Sequence, residues 1–264
     1  MPDSTSLEQF PRPSVAVDTA VLCPVARRGL HVLLIRAQDG QWQLPGSILR
    51  PQERLAEAVA RCLREKARLI DRSPIQLHVF DQPDRDDRGW VISVAHLDVL
   101  DGTGDFGADE RRKMVPVTEV TELSAEHQEI VRVAVHRLRS LHERTPDPFG
   151  LLGPEFSLRQ LRTLHETVAG VELQSDTFRR TMLPLLEPTG RAVTQGRGRP
   201  AQTFARRAEI ALDTDSPILP VPGAEWAGVH DWPTPTAARV TVESAVGAAD
   251  TGVGAVESGV GDGD

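Results

Sequence analysis

Glu53, Glu57, Arg61 and Glu65 recur at every fourth position of "LPGSILRPQERLAEAVARCLREKARL" (residues 44–69). On a helix this spacing lines up charges whose i,i+4 pairs contribute about 0.2–0.5 kcal/mol each. Cys62, Glu65 and Lys66 lie three and four residues apart, so a regular helix puts them on one face. Three carboxylates so placed could together hold a hard divalent cation. The residues present are instead a thiol, one carboxylate and one ammonium. A hard cation finds too few oxygens there, and Lys66 repels it. We therefore assign no metal site, no cofactor and no catalytic residue. Lys66 has two readings: a solvated or ion-paired lysine, or an ammonium that takes the place of a metal's charge and holds a ligand phosphate without cleaving it.

The elements that must position these residues follow from pattern. Residues 14–25, "SVAVDTAVLCPV", and 30–37, "LHVLLIRA", are apolar and β-branched and predict two strands joined by an Arg-Arg-Gly turn. After a Pro-Gly turn, a helix is expected from about Gln52 to Ala67. "IQLHVF" and "WVISVAHLDVL" predict two more strands around the polar loop "DQPDRDDRG". Apolar positions at Ile130, Val131, Ala134, Leu138 and Leu141 predict a helix over residues 125–144. Strands mixed with a few helices make residues 14–144 one α+β or α/β domain.

A Pro- and Gly-rich stretch, residues 145–152, reads as a linker, and a second unit spans residues 153–207. Leu158, Leu161, Leu164 and Val168 have helical spacing, with Ser157 placed to cap the start and Gly170 to close the end. "VEL" is a three-residue turn, "QSDTFRRTML" a short second helix stopped by Pro184, and two short strands flank a Gly- and Arg-rich loop. Helix, turn, helix and hairpin, in that order, make a winged helix-turn-helix, which places its second helix in the major groove of DNA. That helix offers Ser175, Thr177, Arg179, Arg180 and Thr181, and the wing offers Arg191, Arg197 and Arg199. Phe178 and Met182, four apart, are expected to face the core.

Charge supports the same division. The chain of 264 residues carries −8 overall. Residues 156–207 hold nine arginines against four acids, whereas residues 208–264 hold ten acids against Arg239 alone. A basic unit therefore precedes an acidic, low-complexity tail, for which disorder is expected. Such a tail could compete electrostatically with DNA for the basic unit. Cys23 and Cys62 are the only cysteines, and they form no CxxC pair, which argues against a disulfide framework or a structural zinc site. No run approaches the ~18–20 apolar residues of a membrane span, and the N-terminus shows no secretory signal, so a cytoplasmic, nucleoid-associated protein is expected.

The stretch 44–69 resembles the Nudix box, with Ser47 at the pattern's glycine, Glu53 at its first glutamate and Arg61 at its arginine. Cys62 and Lys66 stand where two metal-binding carboxylates belong, only Glu65 of those three survives, and Arg68 replaces the final glycine. Followed by this second unit, the whole of residues 14–207 resembles the Nudix-related transcriptional regulators (the NrtR-like family). The strings "VFDQPDRDDRGWVISVAHL", "TPDPFGLLGPEFSLRQLRTLHETVAG", "LQSDTFRRTML" and "GRPAQTFAR" carry that likeness.

The resemblance implies an α+β domain, a Nudix-like α/β/α sandwich, then a winged helix-turn-helix domain. It also implies a homodimeric repressor of NAD-metabolism or related genes that binds double-stranded DNA at a palindromic operator. The effector would be a nucleotide such as ADP-ribose, or the first domain would serve only as a scaffold for dimerisation. Candidate ligand residues are Arg36, Glu53, Arg61, Glu65 and Lys66, together with Asp84, Arg85, Asp86 and Arg88 of the 81–89 loop. In that loop Asp87 stands where the family pattern usually has proline. Trp42 and Trp90 could stack on a base or pack in the interior. The rival readings are a Nudix hydrolase acting on ADP-ribose or a related nucleoside diphosphate derivative, and an adaptor whose winged helix no longer binds DNA.

Overall fold

The structure is a computed structural model that describes residues 9–102, 109–193 and 200–207. The acidic tail and the wing-tip residues Arg197 and Arg199 lie outside these residues, as do the expectations placed on them. Strand β1 (Ser14–Val25) is the spine. It pairs antiparallel with β2 (Gly29–Arg36). The short strand β3 (Trp42–Gln43) joins the outer edge of β2, and β4 (Gly46–Ile48) pairs with the first half of β1. Helix α1 (Leu55–Cys62) follows. Strand β5 (Ile75–Phe80) pairs antiparallel with β6 (Val91–Val99), which runs parallel to β1. Strand β7 (Arg112–Pro116) closes the mixed seven-stranded sheet by pairing with β2.

Side chains alternate across β1. Val17, Val21 and Cys23 enter a core with Ala58, Val59 and Leu63. Ala20 and Leu22 enter the opposite core with Ile130, Ala134 and Leu138 of helix α2 (Ala125–Arg144). This period-two division makes an α/β/α sandwich, as expected. Strands β3, β4 and β7 were not foreseen, because two to five residues are too few to display a periodicity. The Pro-Gly turn proves to be the entry to β4.

The box helix is shorter and less regular than expected. It starts at Leu55, with the Glu57 carboxylate accepting a hydrogen bond from the Arg54 amide. At Leu63 it widens into a π-helical turn that runs to Ala67. The turn ends on Arg68 at φ 57°, a left-handed conformation usually left to glycine. Arg68 thus keeps the backbone shape of the pattern's glycine without its residue type. The wider turn also breaks up the face that a regular helix would make of positions 62, 65 and 66. Cys62 is buried, whereas Glu65 and Lys66 are exposed.

The second unit follows its predicted order. A two-residue strand, β8 (Phe156–Ser157), leads into α3 (Leu158–Ala169), where Ser157 and Gln160 form a capping box and Gly170 closes the helix at φ 76°. Helix α4 (Ser175–Met182) is followed by a 3₁₀ turn at Leu183–Leu185, and then by β9 (Leu186–Val193) and β10 (Ala201–Arg206). β8 pairs with β10 and makes the hairpin a three-stranded sheet. Phe178 and Met182 enter this unit's core with Phe156, Leu161, Leu186 and Phe204.

Residues 145–152, read from sequence as a linker, are held at several points. The fully enclosed Asp147 carboxylate accepts from the amides of Leu151 and Leu152 at 2.9 Å, and from Arg206 at 2.8 Å. Leu164 and Val168 of α3 complete the core formed by α2 and the sheet. Arg139 donates to the carbonyl of Val168 at 3.1 Å, in the last turn of α3, where a cation favours the helix dipole. The ring of His142 on α2 meets His165 edge-on at 5.2 Å, and His165 meets Phe178 of α4 at 5.1 Å. His165 Nε2 also donates to the Pro146 carbonyl at 2.5 Å.

Burial pushes the His142 imidazolium pKa down to about 3, with the neighbouring His165 adding to the effect. Burial lowers His165 as well. The fold keeps both rings neutral while the unfolded chain titrates near 6.5. Below that value the unfolded state binds more protons, so stability falls as pH drops from 6.5 towards 3. We expect His142→Phe to lose less Tm than wild type between about pH 7 and pH 4; equal losses would show that the His142 site does not titrate this way.

Candidate nucleotide corner and nucleic-acid interface

The box residues converge around Arg61. Its guanidinium grips Glu53 with two hydrogen bonds, Nε to Oε1 at 2.6 Å and NH2 to Oε2 at 2.8 Å. The same fork donates to Ser47 Oγ at 3.0 Å and to the Ile48 carbonyl at 3.2 Å. Positions 47, 53 and 61, aligned by spacing, therefore meet in space. Their arginine is fully engaged in holding the β4–α1 loop against the helix. The Arg61 hydrogen bonds, followed by the Arg50 amide, pull the Glu53 carboxyl down to about 2.

Lys66 is exposed and donates to the Gly46 carbonyl at 2.5 Å. Glu65 lies 3.9 Å from Arg64. Burial raises the Cys62 thiol to about 11, so it is protonated at neutral pH. A protonated thiol, a lone exposed carboxylate and an ammonium already bound to a carbonyl do not fit the oxygen-rich shell of Mg²⁺. Among the described residues no three His, Cys, Asp or Glu side chains come together to hold a metal ion.

Beside Gly46 lies a group that the sequence reading passed over. Asp18 faces the α2 side of β1 and is buried. A Cβ on Gly46 would stand 2.0 Å from Asp18 Oδ1, so only glycine lets the loop pass this carboxylate. Ser93 Oγ on β6 donates to Asp18 Oδ2 at 2.5 Å, and His127 Nε2 on α2 lies 3.7 Å from Oδ1. Burial pushes Asp18 upward, but His127, Ser93 and the charge of Arg85 outweigh it, and the carboxyl titrates below its ordinary value. Its mark in the sequence is a single acid inside the apolar run "SVAVDTAVL".

The 81–89 loop reaches the same corner. The Arg85 side chain is only 5% exposed, with NH2 3.7 Å from Glu126 at the first turn of α2. Arg88 is 78% exposed and forks onto Asp86 at 2.7 and 2.8 Å, drawing that carboxyl down to about 2. Asp84 is exposed. Arg36 lies apart from this cluster, at the end of β2. It donates to the Gly40 carbonyl at 3.1 Å and approaches the ring of Trp42, which Lys113 also covers at 4.3 Å. Trp90 is exposed at the start of β6.

On α4, Ser175, Thr177, Arg179, Arg180 and Thr181 are all exposed, opposite the buried Phe178 and Met182. Neither Arg179 nor Arg180 forms an ion pair with another described residue. Thr177 donates to Gln174 at 2.7 Å and Thr181 to the Thr177 carbonyl at 3.1 Å. Arg191 on β9 pairs with Glu155 at 2.9 Å.

The fold and these sites define a Nudix-type sandwich fused to a winged helix. Residues 17–137 match the NUDIX domain family, and residues 148–205 match the family described as the NrtR DNA-binding winged helix domain. The chain belongs to the NrtR family of Nudix-related regulators. It is 27% identical to the ADPR responsive transcriptional repressor NtrR of Acinetobacter baylyi, over 74% of this chain and 82% of that protein. It is 32% identical to the ADP-ribose pyrophosphatase of Methanocaldococcus jannaschii, over 46% of this chain and 72% of that protein. The crystal structure of Shewanella oneidensis NrtR complexed with a 27mer DNA superposes with TM-score 0.58 at 27% identity, covering 73% of this chain and 93% of that one. Among the described residues no helix is long and apolar enough to cross a membrane.

The Glu53–Arg61 pair has a direct stability test. A carboxyl lowered from 4.5 to about 2 contributes stability above 4.5 and loses it as pH falls towards 2. Glu53→Gln should lower Tm at neutral pH, with the gap to wild type closing across that window. A gap that stays constant to about pH 2 would show that the pair does not carry the effect.

Proposed function

We propose that this protein is a DNA-binding transcriptional repressor whose Nudix domain holds a nucleotide such as ADP-ribose without hydrolysing it. The carrying observation is the winged helix with an outward face of Arg179, Arg180 and three hydroxyl residues, backed by Phe178 and Met182. Arginine forks suit phosphate oxygens and the O6/N7 edge of guanine, and a helix of this kind fits the major groove. The name of the Acinetobacter relative and the DNA complex of the Shewanella protein support the same reading. A two-fold dimer would present two such helices to a palindrome, with Arg191 and the wing against the backbone.

For the nucleotide, the exposed cations Lys66 and Arg88 stand near the Gly46–Asp18 corner and supply charge for a pyrophosphate. Glu53 and Arg61 brace the loop beside them. The absence of catalysis rests on the donor set of Cys62, Glu65 and Lys66. A hydrolase is the second reading, favoured by the likeness to the Methanocaldococcus pyrophosphatase.

Replacing Arg179 and Arg180 by alanine in the full chain should weaken duplex binding and flatten the dependence of log Kd on log salt by about 0.9 for each DNA phosphate that is no longer neutralised. An unchanged Kd and slope would remove α4 from the interface. ADP-ribose incubated with the protein and Mg²⁺ or Mn²⁺ should be recovered intact; steady release of AMP would make the chain a hydrolase.

A further inference from the structure

Helix α2 is held at both ends by residues of different regions. At its first turn Glu126 faces Arg85 of the 81–89 loop at 3.7 Å, and His127 faces Asp18 of β1 at 3.7 Å. In its last turns Arg139 donates to the end of α3, and the ring of His142 meets His165 edge-on, as His165 meets Phe178 of the DNA-facing helix. Twenty residues at 1.5 Å each put these two sets of contacts about 30 Å apart at most. A packed helix moves as a body, so a small displacement of its first turn is passed to α3 and α4 instead of being absorbed on the way.

The two ends are not equally tight. The far end combines a hydrogen bond to a helix terminus with an edge-to-face ring contact and the shared apolar side chains Leu164 and Val168. The near end rests on contacts longer than a hydrogen bond. Glu126 lies in a partly enclosed, crowded place: burial raises its pKa, countered by Arg85 and His127 and reinforced by Asp86 and Asp18. A guanidinium that faces a carboxylate without forking onto it can exchange that partner for a phosphate, which carries more charge and accepts two parallel bonds.

We propose that Arg85 is the positioning residue through which nucleotide occupancy reaches the DNA-binding helix. Phosphates arriving between Lys66 and Arg88 draw Arg85 from Glu126, the first turn of α2 is released from the loop, and the docked α3–α4 pair follows. This rests on the nucleotide-responsive reading above and adds the route of the response. Arg85 then acts on DNA binding by moving α2, without touching DNA.

The experiment measures duplex-DNA Kd for the full chain with and without saturating ADP-ribose, and ADP-ribose Kd by calorimetry. In wild type the ratio of the two DNA affinities should fall in the common allosteric range of about 5–150-fold. Glu126→Gln keeps shape and hydrogen bonding but removes the charge that holds Arg85. It should bind ADP-ribose no more weakly than wild type and shift the nucleotide-free DNA Kd to the value of the ADP-ribose-bound wild type, so that the ratio collapses towards one. Arg85→Lys, which keeps charge without the fork, should lower both the ADP-ribose affinity and the ratio. A purely structural Glu126 would change the nucleotide-free Kd and spare the ratio, and a wild-type ratio in Glu126→Gln overturns the proposal. A wild type that binds neither DNA nor ADP-ribose overturns the functional reading, and this route with it. A wild type that binds both with a ratio of one overturns the route alone and leaves DNA binding standing.

Discussion

A buried carboxylate needs partners, and the Nudix-like half of this chain is organised around meeting that need for Asp18. Ser93 brings in β6, His127 brings in α2, and the charge of Arg85 brings in the 81–89 loop. Gly46 leaves the carboxylate room by having no side chain, and its carbonyl turns to Lys66. The chain around residue 46, around residues 85–93 and around residue 127 is thereby fixed to one point. The box loop, the polar loop and the start of the long helix all contribute to the surroundings of the same charge.

The family frame survives here with different chemistry in it. Arg61, Glu53 and Ser47 do structural work, tying a loop to a helix with a bidentate fork. The thiol of Cys62 belongs to the interior, and Lys66 has taken a backbone carbonyl as its partner. The positive charge at this corner comes from the side chains of Lys66 and Arg88.

Long elements could be read from sequence, because periodicity accumulates over many residues. Pattern places β1 at residues 14–25 and α2 at about residues 125–144, and the cap at Ser157 and the closing Gly170 follow from residue type alone. Strands β3, β4, β7 and β8 escaped, being defined by partners and not by pattern. The π-helical turn at Leu63–Ala67 has no compositional mark and undid the expected face of 62, 65 and 66. For the site, local spacing sufficed to bring Ser47, Glu53 and Arg61 together. It could not foresee that Arg85 turns inward while Arg88, three residues later, stays in water. That choice is made by Glu126 and Asp18, which no local rule connects to the loop.

The shared core of α2 and α3 bears on how such a protein could be taken apart or recombined. Leu164 and Val168 leave the winged helix to finish a core that the sheet and α2 cannot close alone, and Leu152 packs against both cores. Cutting the chain near residue 150 would leave complementary apolar faces exposed on both fragments. Chimeras made by exchanging sensor domains at that junction would inherit mismatched halves of one interior. Because α2 also packs against Ala20 and Leu22 of β1, an exchange that keeps every apolar contact takes both domains together.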